Sequence, residues 1–530
     1  MRRWNGWGDD STESHLGKDT LEYLQQRLGS GIVPQDAKLT SVLASIPPSS
    51  LPPNPLIKTD ELTRLRYSRG QSMSDWIELR GGTGITFTDG VAFPENEAEI
   101  SDLYEYARHT GASLIPYGGG TSVAGHINPL LGGEPVLTVA MERMSRLLCL
   151  DHDSRLATFG AGIAGPDLEA ELRAHGYTLG HYPQSFEYST LGGWIATRSS
   201  GQQSLGYGRI ERLFAGGNVE TPAGSLELPS FPASAAGPDL REIVLGSEGR
   251  IGIITKATVR VVPVPPVETF LAVFFKEWER GFEAVRKIVQ AGLPLTMLRY
   301  STPVETETTL ALAGRRNIIA PIERYLDLRG AGAQKCMLIM GFKGSRALVQ
   351  IGKREALALA HRNGGVYLGT LFGKQWHKNR FKTPYLRNSL WEAGYAVDTV
   401  ETATVWEKIP QMVDSIECAL KEAAMVEGEK LHVFTHLSHL YPYGSSVYTT
   451  YVFRVANTPE KTLERWQRMK KAASLAIVNG GGTISHQHGV GADHLPYLEA
   501  EKGKLGLEGI RAIIRQFDPE GLLNPGKLVL

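Results

Sequence analysis

Leu21, Leu24 and Leu28 return at helical spacing, which predicts an amphipathic helix with Asp19 as its N-cap and Gly29 as its stop. Prolines then crowd residues 46–55, a stretch too stiff and too poor in N–H donors for regular structure. From about residue 85, short aliphatic and β-branched runs alternate with helical ones. Residues 95–109 place Ile100, Leu103, Tyr104 and Ala107 on one helical face, and Gly111 ends that helix. A strand over 113–116 follows. The strand–helix–strand rhythm continues to about Val264, where prolines within 262–267 predict a boundary. Beyond it, 278–291 reads as a longer helix, and 334–341 and 446–455 read as strands. That alternation suits an antiparallel sheet flanked by helices. From residue 479 the chain returns to dense glycine, histidine and proline. The pattern predicts an α+β fold in four parts: a helical extension over 1–82, a ligand-binding domain over 83–265, a second domain over 266–478 and a returning segment over 479–530.

The strand over 113–116 runs into IPYGGGTSVAG, beginning at Ile115. Three successive residues without a Cβ let backbone N–H groups approach a ligand and converge on it. Such a turn makes an anion-binding concavity, and the hydroxyls of Thr121 and Ser122 add donors. The expected guest is a phosphate or pyrophosphate. A second glycine pattern, Gly160-Ala161-Gly162-Ile163-Ala164-Gly165, matches a dinucleotide fingerprint, but the next strand-like run, 177–181, ends in Gly180 and His181 with no carboxylate for a ribose. It is read as a structural turn. Four further segments are rich in small residues and hydroxyls and poor in charge: HYPQSFEYSTLGGW from His181, TRSSG from Thr197, LGSEGRIGIIT from Leu245 and FDPEGLLNPGK from Phe517. Together they suggest one large ligand with a phosphate centre, gripped from several points by backbone.

Composition narrows the classes. Lys+Arg and Asp+Glu each total 56, so the formal net charge is zero and no excess of cation is left for a nucleic-acid groove. Cys149, Cys336 and Cys418 are odd in number and far apart, which suits reduced thiols rather than a disulfide framework. No signal peptide or membrane-spanning run is visible, and the expectation is a soluble, cytoplasmic protein.

In this order, the segments resemble the FAD-binding domain of the vanillyl-alcohol oxidase / p-cresol methylhydroxylase superfamily. Within it, WNGWG at Trp4–Gly8, STLGGW at Ser189, GSEG at Gly246 and NGGGTISHQHGVG at Asn479 are similar to the alkyldihydroxyacetonephosphate synthases. The resemblance implies an FAD-binding domain of two α/β subdomains, a cap domain with an antiparallel sheet, and non-covalent FAD. It implies FAD contacts at Pro116, Tyr117, Gly118, Gly119, Gly120, Thr121 and Ser122, and at Gln184, Ser185, Phe186, Glu187, Tyr188, Ser189 and Thr190. Others fall at Thr197, Arg198, Ser199 and Ser200, and at Gly246, Ser247, Glu248, Gly249, Arg250, Ile251, Gly252, Ile253 and Ile254. Arg387 matches the family's phosphate-binding arginine, Tyr448 its proton-transferring tyrosine, and Arg299 another arginine near the active site. The implied reaction exchanges the acyl chain of acyl-dihydroxyacetone phosphate for a fatty alcohol through a flavin N5 adduct, in ether lipid biosynthesis. Lipid substrates would bring peripheral contact with the inner face of a membrane, and a homodimer is compatible with the resemblance.

Three departures bear on substrate. The family has three histidines where this chain reads His486-Gln487-His488: if the middle one is indispensable the chain is not a synthase, and if a flanking one suffices, His486 or His488 does the work. HYPQS replaces His-Glu-Pro-Asp-Ser, and Ala492 stands where the family has lysine. An alternative reading is an FAD-linked oxidase or dehydrogenase of a 2-hydroxy acid or alcohol. His436 and His439 with His486 and His488 could offer imidazoles to a metal, but no carboxylate sits at ligand spacing beside HLSH, and no metal is expected. His126 is read as a plain loop histidine rather than a covalent flavin attachment point.

Overall fold

The computed structural model describes residues 2–12, 15–130, 133–312 and 316–530. The first helix, Lys18–Leu28, starts one residue before the expected cap. Extended Gly17 takes the N-cap position, and Asp19 falls in the first turn, where its carboxylate complements the helix dipole instead. Leu24 and Leu28 are buried against Leu390, Tyr395 and Val452. The helix Glu97–Thr110 is capped by Asn96, which accepts from Glu99 N at 3.1 Å, so it begins two residues later than predicted. Its buried face is Ile100, Leu103, Tyr104 and Ala107, and Gly111 ends it at φ 69°.

Three sheets position the site. In the first, Gly90–Ala92, Val136–Ala140 and Ser113–Tyr117 pair in parallel, with Ile57–Lys58 antiparallel at the edge. The second orders Leu147–Asp151, Leu156–Gly160, Ile253–Arg260, Phe214–Thr221 and Gly224–Leu228, and all its pairs are antiparallel. The strand–helix–strand rhythm overstates parallel pairing here. Residues 152–155 and 222–223 are too few to cross over, so they close hairpins. The strand expected over 177–181 shrinks to Tyr177–Thr178, paired with Val262–Pro263.

The third sheet has seven antiparallel strands, in the order Val366–Tyr367, Val267–Phe275, Cys336–Gly344, Leu295–Ser301, His432–Tyr441, Gly444–Arg454 and Tyr395–Val405. Helices Trp278–Gln290, Arg346–Arg362, Ile409–Met425 and Pro459–Asn479 flank it. One core joins the second and third sheets through Phe159, Phe214, Phe275, Tyr300 and Phe342, each almost wholly buried. At about 1.5–3 kcal/mol per large apolar side chain, such a core holds the sheets in fixed relation. The chain end docks on the first sheet: Leu114 N donates to Leu522 O at 2.7 Å and Asn524 N to Leu114 O at 2.8 Å. No helix among the described residues is long and apolar enough to cross a membrane.

Candidate active site

The strand Ser113–Tyr117 delivers the glycine loop against residues 188–190. A Cβ on Gly119 would lie 1.8 Å from Tyr188 O, and one on Gly118 would lie 2.4 Å from Thr190 Oγ1. Only glycine allows this approach of backbone to backbone. The loop forms one wall of a cavity of about 480 Å³. Pro116, Tyr117, Gly118, Gly119, Gly120, Thr121 and Ser122 line it, with Gln184, Ser185, Ser189, Thr190, Thr197, Ser199 and Ser200. Ser247, Glu248, Gly249, Gly252, Ile253 and Ile254 complete this wall. Gln487 Oε1 and Asn524 Oδ1 are buried in the same lining without a hydrogen-bond partner among the described residues. A glycine cradle, a row of hydroxyls and orphaned polar atoms suit a large polar cofactor with a pyrophosphate, and the fit to FAD holds on this ground.

The other residues that the resemblance implied stand outside the cavity lining. Phe186 stacks on Phe381 at 4.9 Å, and Tyr188 meets Trp7 in a T-shaped contact at 5.4 Å, with Glu187 between them in sequence. Arg198 donates to Leu245 O at 3.1 Å and pairs with Glu242. Gly246 carries the positive φ of that turn, Arg250 donates to Leu523 O at 2.6 Å, and Ile251 is core. These residues shape the loops whose neighbours line the cavity.

The far wall is the third sheet. Register sets His436, Tyr448 and Glu401 side by side on three adjacent strands, so their side chains share one face. Thr399 lies two residues from Glu401, and the Tyr448 hydroxyl donates to Thr399 Oγ1 at 3.3 Å. Burial pushes the Tyr448 phenol up to about 12, against the smaller opposing pull of Thr399. Arg299 pairs with Glu305, whose other oxygen lies 3.0 Å from His436 Nδ1. Tyr451 points away as a core residue bonded to Asp398 at 3.2 Å.

Arg387 enters from the helix Leu386–Glu392. Its Nη1 donates to Gln71 O at 2.6 Å, and its guanidinium lies 4.6 Å from the Trp76 ring centre. Nε and Nη2 are buried with no partner among the described residues. A surface arginine in a helix-face ion pair would show none of this.

Within the loop after Asn479, Glu401 gathers the histidine run, while Glu501 holds Ile484 N and Glu248 holds Gly491 N. Glu401 is 3 % exposed, and its Oε1 accepts the backbone N–H of His486, Gln487 and His488 at 3.0, 2.8 and 2.9 Å. Burial alone would raise its pKa, but the neighbouring imidazoles and these backbone donors hold it well below 4.5. His488 lines the cavity with its ring centre 5.9 Å from that of Tyr448. His486 stands behind it, outside the lining. Arg209 Nη1 lies 2.7 Å from His486 Nε2. A guanidinium only donates, so Nε2 accepts and the ring proton is on Nδ1, 3.5 Å from Glu401 Oε2.

Two family models match this chain, an FAD binding domain over residues 88–228 and the C-terminal domain of FAD linked oxidases over 264–528. An alkyldihydroxyacetonephosphate synthase from Dictyostelium discoideum is 31 % identical over 480 residues, covering 89 % of this chain and 78 % of that one. One from Trypanosoma brucei brucei is 30 % identical over 483 residues, with the same coverage of both. A solved alkyldihydroxyacetonephosphate synthase structure superposes with a TM-score of 0.84 over 99 % of both chains, at 26 % identity. The chain belongs to the alkyldihydroxyacetonephosphate synthase family. It is an FAD-dependent enzyme with the α+β architecture of that family.

Several residues of this synthase-family site escaped the sequence reading. Glu401 and Arg209 are charged residues in otherwise ordinary text, and only the charge inside the alternating strand 395–405 marked Glu401. The histidines do not converge as a ligand set: His436 is committed to Glu305, and His439 Nδ1 lies 3.0 Å from Ser200 Oγ and Ser204 Oγ. Among the described residues, no group of three or more His, Cys, Asp or Glu is placed to hold a metal ion. His126 is buried in the cavity wall, with Nδ1 2.6 Å from Ser122 Oγ.

Glu401→Gln is expected to destabilise the flavin-loaded protein by about 2–3 kcal/mol at neutral pH, since a charged acceptor of three donors is lost. The native pKa is depressed, so the ionised carboxylate contributes stability above about pH 4.5, and this is lost as pH falls through the native value. Thermal midpoints of the two proteins should therefore differ fully at pH 7 and converge below pH 4.5. A constant gap down to pH 3 would remove Glu401 ionisation as the cause.

Proposed function

We propose that this enzyme exchanges the acyl chain of acyl-dihydroxyacetone phosphate for a fatty alcohol, giving the alkyl ether and releasing the fatty acid. The observation that carries the reading is the Arg387 guanidinium, whose buried Nε and Nη2 have no partner among the described residues, in the wall of the cavity that also holds Tyr448. A guanidinium fork matches phosphate oxygens. Apolar residues Leu24, Leu312, Leu390, Phe434 and Val452 line the same cavity, which suits an alkyl chain beside a charged head.

FAD, when bound, supplies a reversible electron sink for a redox-neutral substitution at carbon. The residues of this chain bind and move protons. Arg387 holds the phosphate and orients the carbon bearing the ester toward Tyr448. Tyr448 takes the proton from that carbon. Arg299, fixed by Glu305, supplies a second cation in the lining. Of the two candidate histidines, the proton of the incoming alcohol is assigned to His488. It lines the cavity, and burial lowers its pKa so that the ring is neutral and able to accept. The lone pair on His486 Nε2 is already taken by Arg209, so His486 positions the loop. Gln487, in place of the family's middle histidine, can only hydrogen-bond.

The test is anaerobic absorbance of the yellow protein mixed with palmitoyl-dihydroxyacetone phosphate and no electron acceptor. Bleaching of the flavin band with fatty-acid release, reversed by hexadecanol with formation of the ether, is the expected result. A flavin that ignores this substrate and bleaches with a 2-hydroxy acid would make the enzyme a dehydrogenase.

A further inference from the structure

The WNGWG run at Trp4–Gly8 points to the family but has no role in the chemistry above. In the fold it is the tip of a short hairpin: Arg2 and Asp9 form an antiparallel bridge, and Arg3 N donates to Gly8 O at 3.0 Å. The hairpin is fastened on both sides of the cavity. On one side, Arg2 Nη2 donates to Gly119 O at 2.5 Å, within the glycine loop. On the other, Asn388, the residue after Arg387, accepts from Trp7 N at 3.2 Å and donates to Trp7 O at 2.8 Å. Arg80 Nε holds Asn5 O at 2.9 Å.

The two glycines of the motif have no room for a side chain. A Cβ on Gly6 would lie 2.5 Å from Asn388 Oδ1, and Gly8 has φ +91° with the Tyr385 ring 2.5 Å from its Cβ position. This packing sets Trp7 in the cavity lining, 4 % exposed, with its indole Nε1 buried and unpartnered among the described residues. A buried indole N–H ordinarily finds an acceptor. The residue beside its anchor, Arg387, carries two more donors in the same state. Three orphaned donors in one lining call for a ligand rich in acceptor oxygens.

We propose that Trp7 Nε1 is a further hydrogen-bond donor to the phosphate group held by Arg387, delivered into the site by the N-terminal hairpin. The inference rests on the reading of Arg387 as a phosphate site. Inorganic phosphate and a phosphorylated head group share the chemistry, so both serve as probes.

The experiment titrates the flavin-loaded full chain with inorganic phosphate and with dihydroxyacetone phosphate, read by calorimetry. Trp7→Phe keeps the ring against Tyr188 and the backbone bonds to Asn388 while removing the N–H. Affinity for both probes is expected to fall about tenfold or more, the loss for a hydrogen bond to a charged group, with flavin content unchanged. Affinity within about twofold of wild type overturns the proposal. If Arg387→Ala weakens binding in the same assay, the phosphate reading stands without Trp7; if neither variant does, both fall. Loss of flavin retention with unchanged phosphate affinity also overturns it, because the acceptor is then the cofactor. So does a loss confined to dihydroxyacetone phosphate, since contact with the phosphate must show with either probe. Should Trp7→Phe not fold, Gly8→Ala strains the hairpin at φ +91° and displaces Trp7, and the same selective loss is expected.

Discussion

Tyr448→Phe is expected to lower turnover about a thousandfold or more while leaving flavin content and phosphate affinity near wild type. The size follows from the range of about 10²–10⁴ that a positioned proton acceptor contributes. Burial holds the phenol at about 12, against the smaller pulls of Thr399 and Arg299 toward ionisation. At pH 7–8 the phenolate is therefore a fraction of roughly 10⁻⁴ to 10⁻⁵. Proton removal from the substrate should then rise about tenfold for each pH unit across the neutral range, and the Phe variant should lose that slope. Single-turnover bleaching of the flavin at several pH values checks both points. A flat wild-type profile, or normal bleaching in the variant, would move proton removal to another residue, with His488 the neighbour to examine.

Arg387→Ala is expected to raise the dissociation constant of phosphorylated substrates by about 30-fold to several thousandfold. Truncating one member of a buried charged contact costs about 2–5 kcal/mol, and much of this is the phosphate left without its partner. Arg387→Lys should recover only part, because an ammonium cannot reproduce the fork or its stacking on Trp76. Flavin retention should stay near wild type, since the side-chain bond of Arg387 goes to Gln71 O and not to the glycine loop. The two variants divide the site cleanly: one binds phosphate and does not turn over, the other binds poorly. Calorimetric titration with dihydroxyacetone phosphate is the measurement, and unchanged affinity in the Ala variant would end the phosphate reading of Arg387.

Local chemistry was legible along the chain wherever neighbours in sequence decide the structure. Gly111 and Gly29 end their helices as residues free to take positive φ, and the proline run at 46–55 stays irregular. The same holds for the glycine loop, whose triple absence of Cβ is visible in the text and is required by Tyr188 O 1.8 Å from the Cβ position of Gly119. The antiparallel third sheet followed from alternation and boundary prolines. Hairpin closure in the second sheet was misjudged because alternating elements suggest crossovers, while loop length decides.

What the sequence determined alone was therefore the set of turns, caps and periods, together with a family pattern that brought FAD, Arg387 and Tyr448 into view. The tertiary structure decided which polar groups face the cavity without a partner among the described residues and which are consumed by their neighbours. Arg387 and His486 differ in just this way, one with Nε and Nη2 unpartnered among the described residues and the other with its lone pair occupied by Arg209. Trp7 and Asn388 meet across 381 positions, and Glu401 gathers His488 across 87. The protonation and hydrogen-bonding state of a side chain depends on desolvation and on partners within a few ångströms, and those partners are chosen by packing rather than by sequence distance.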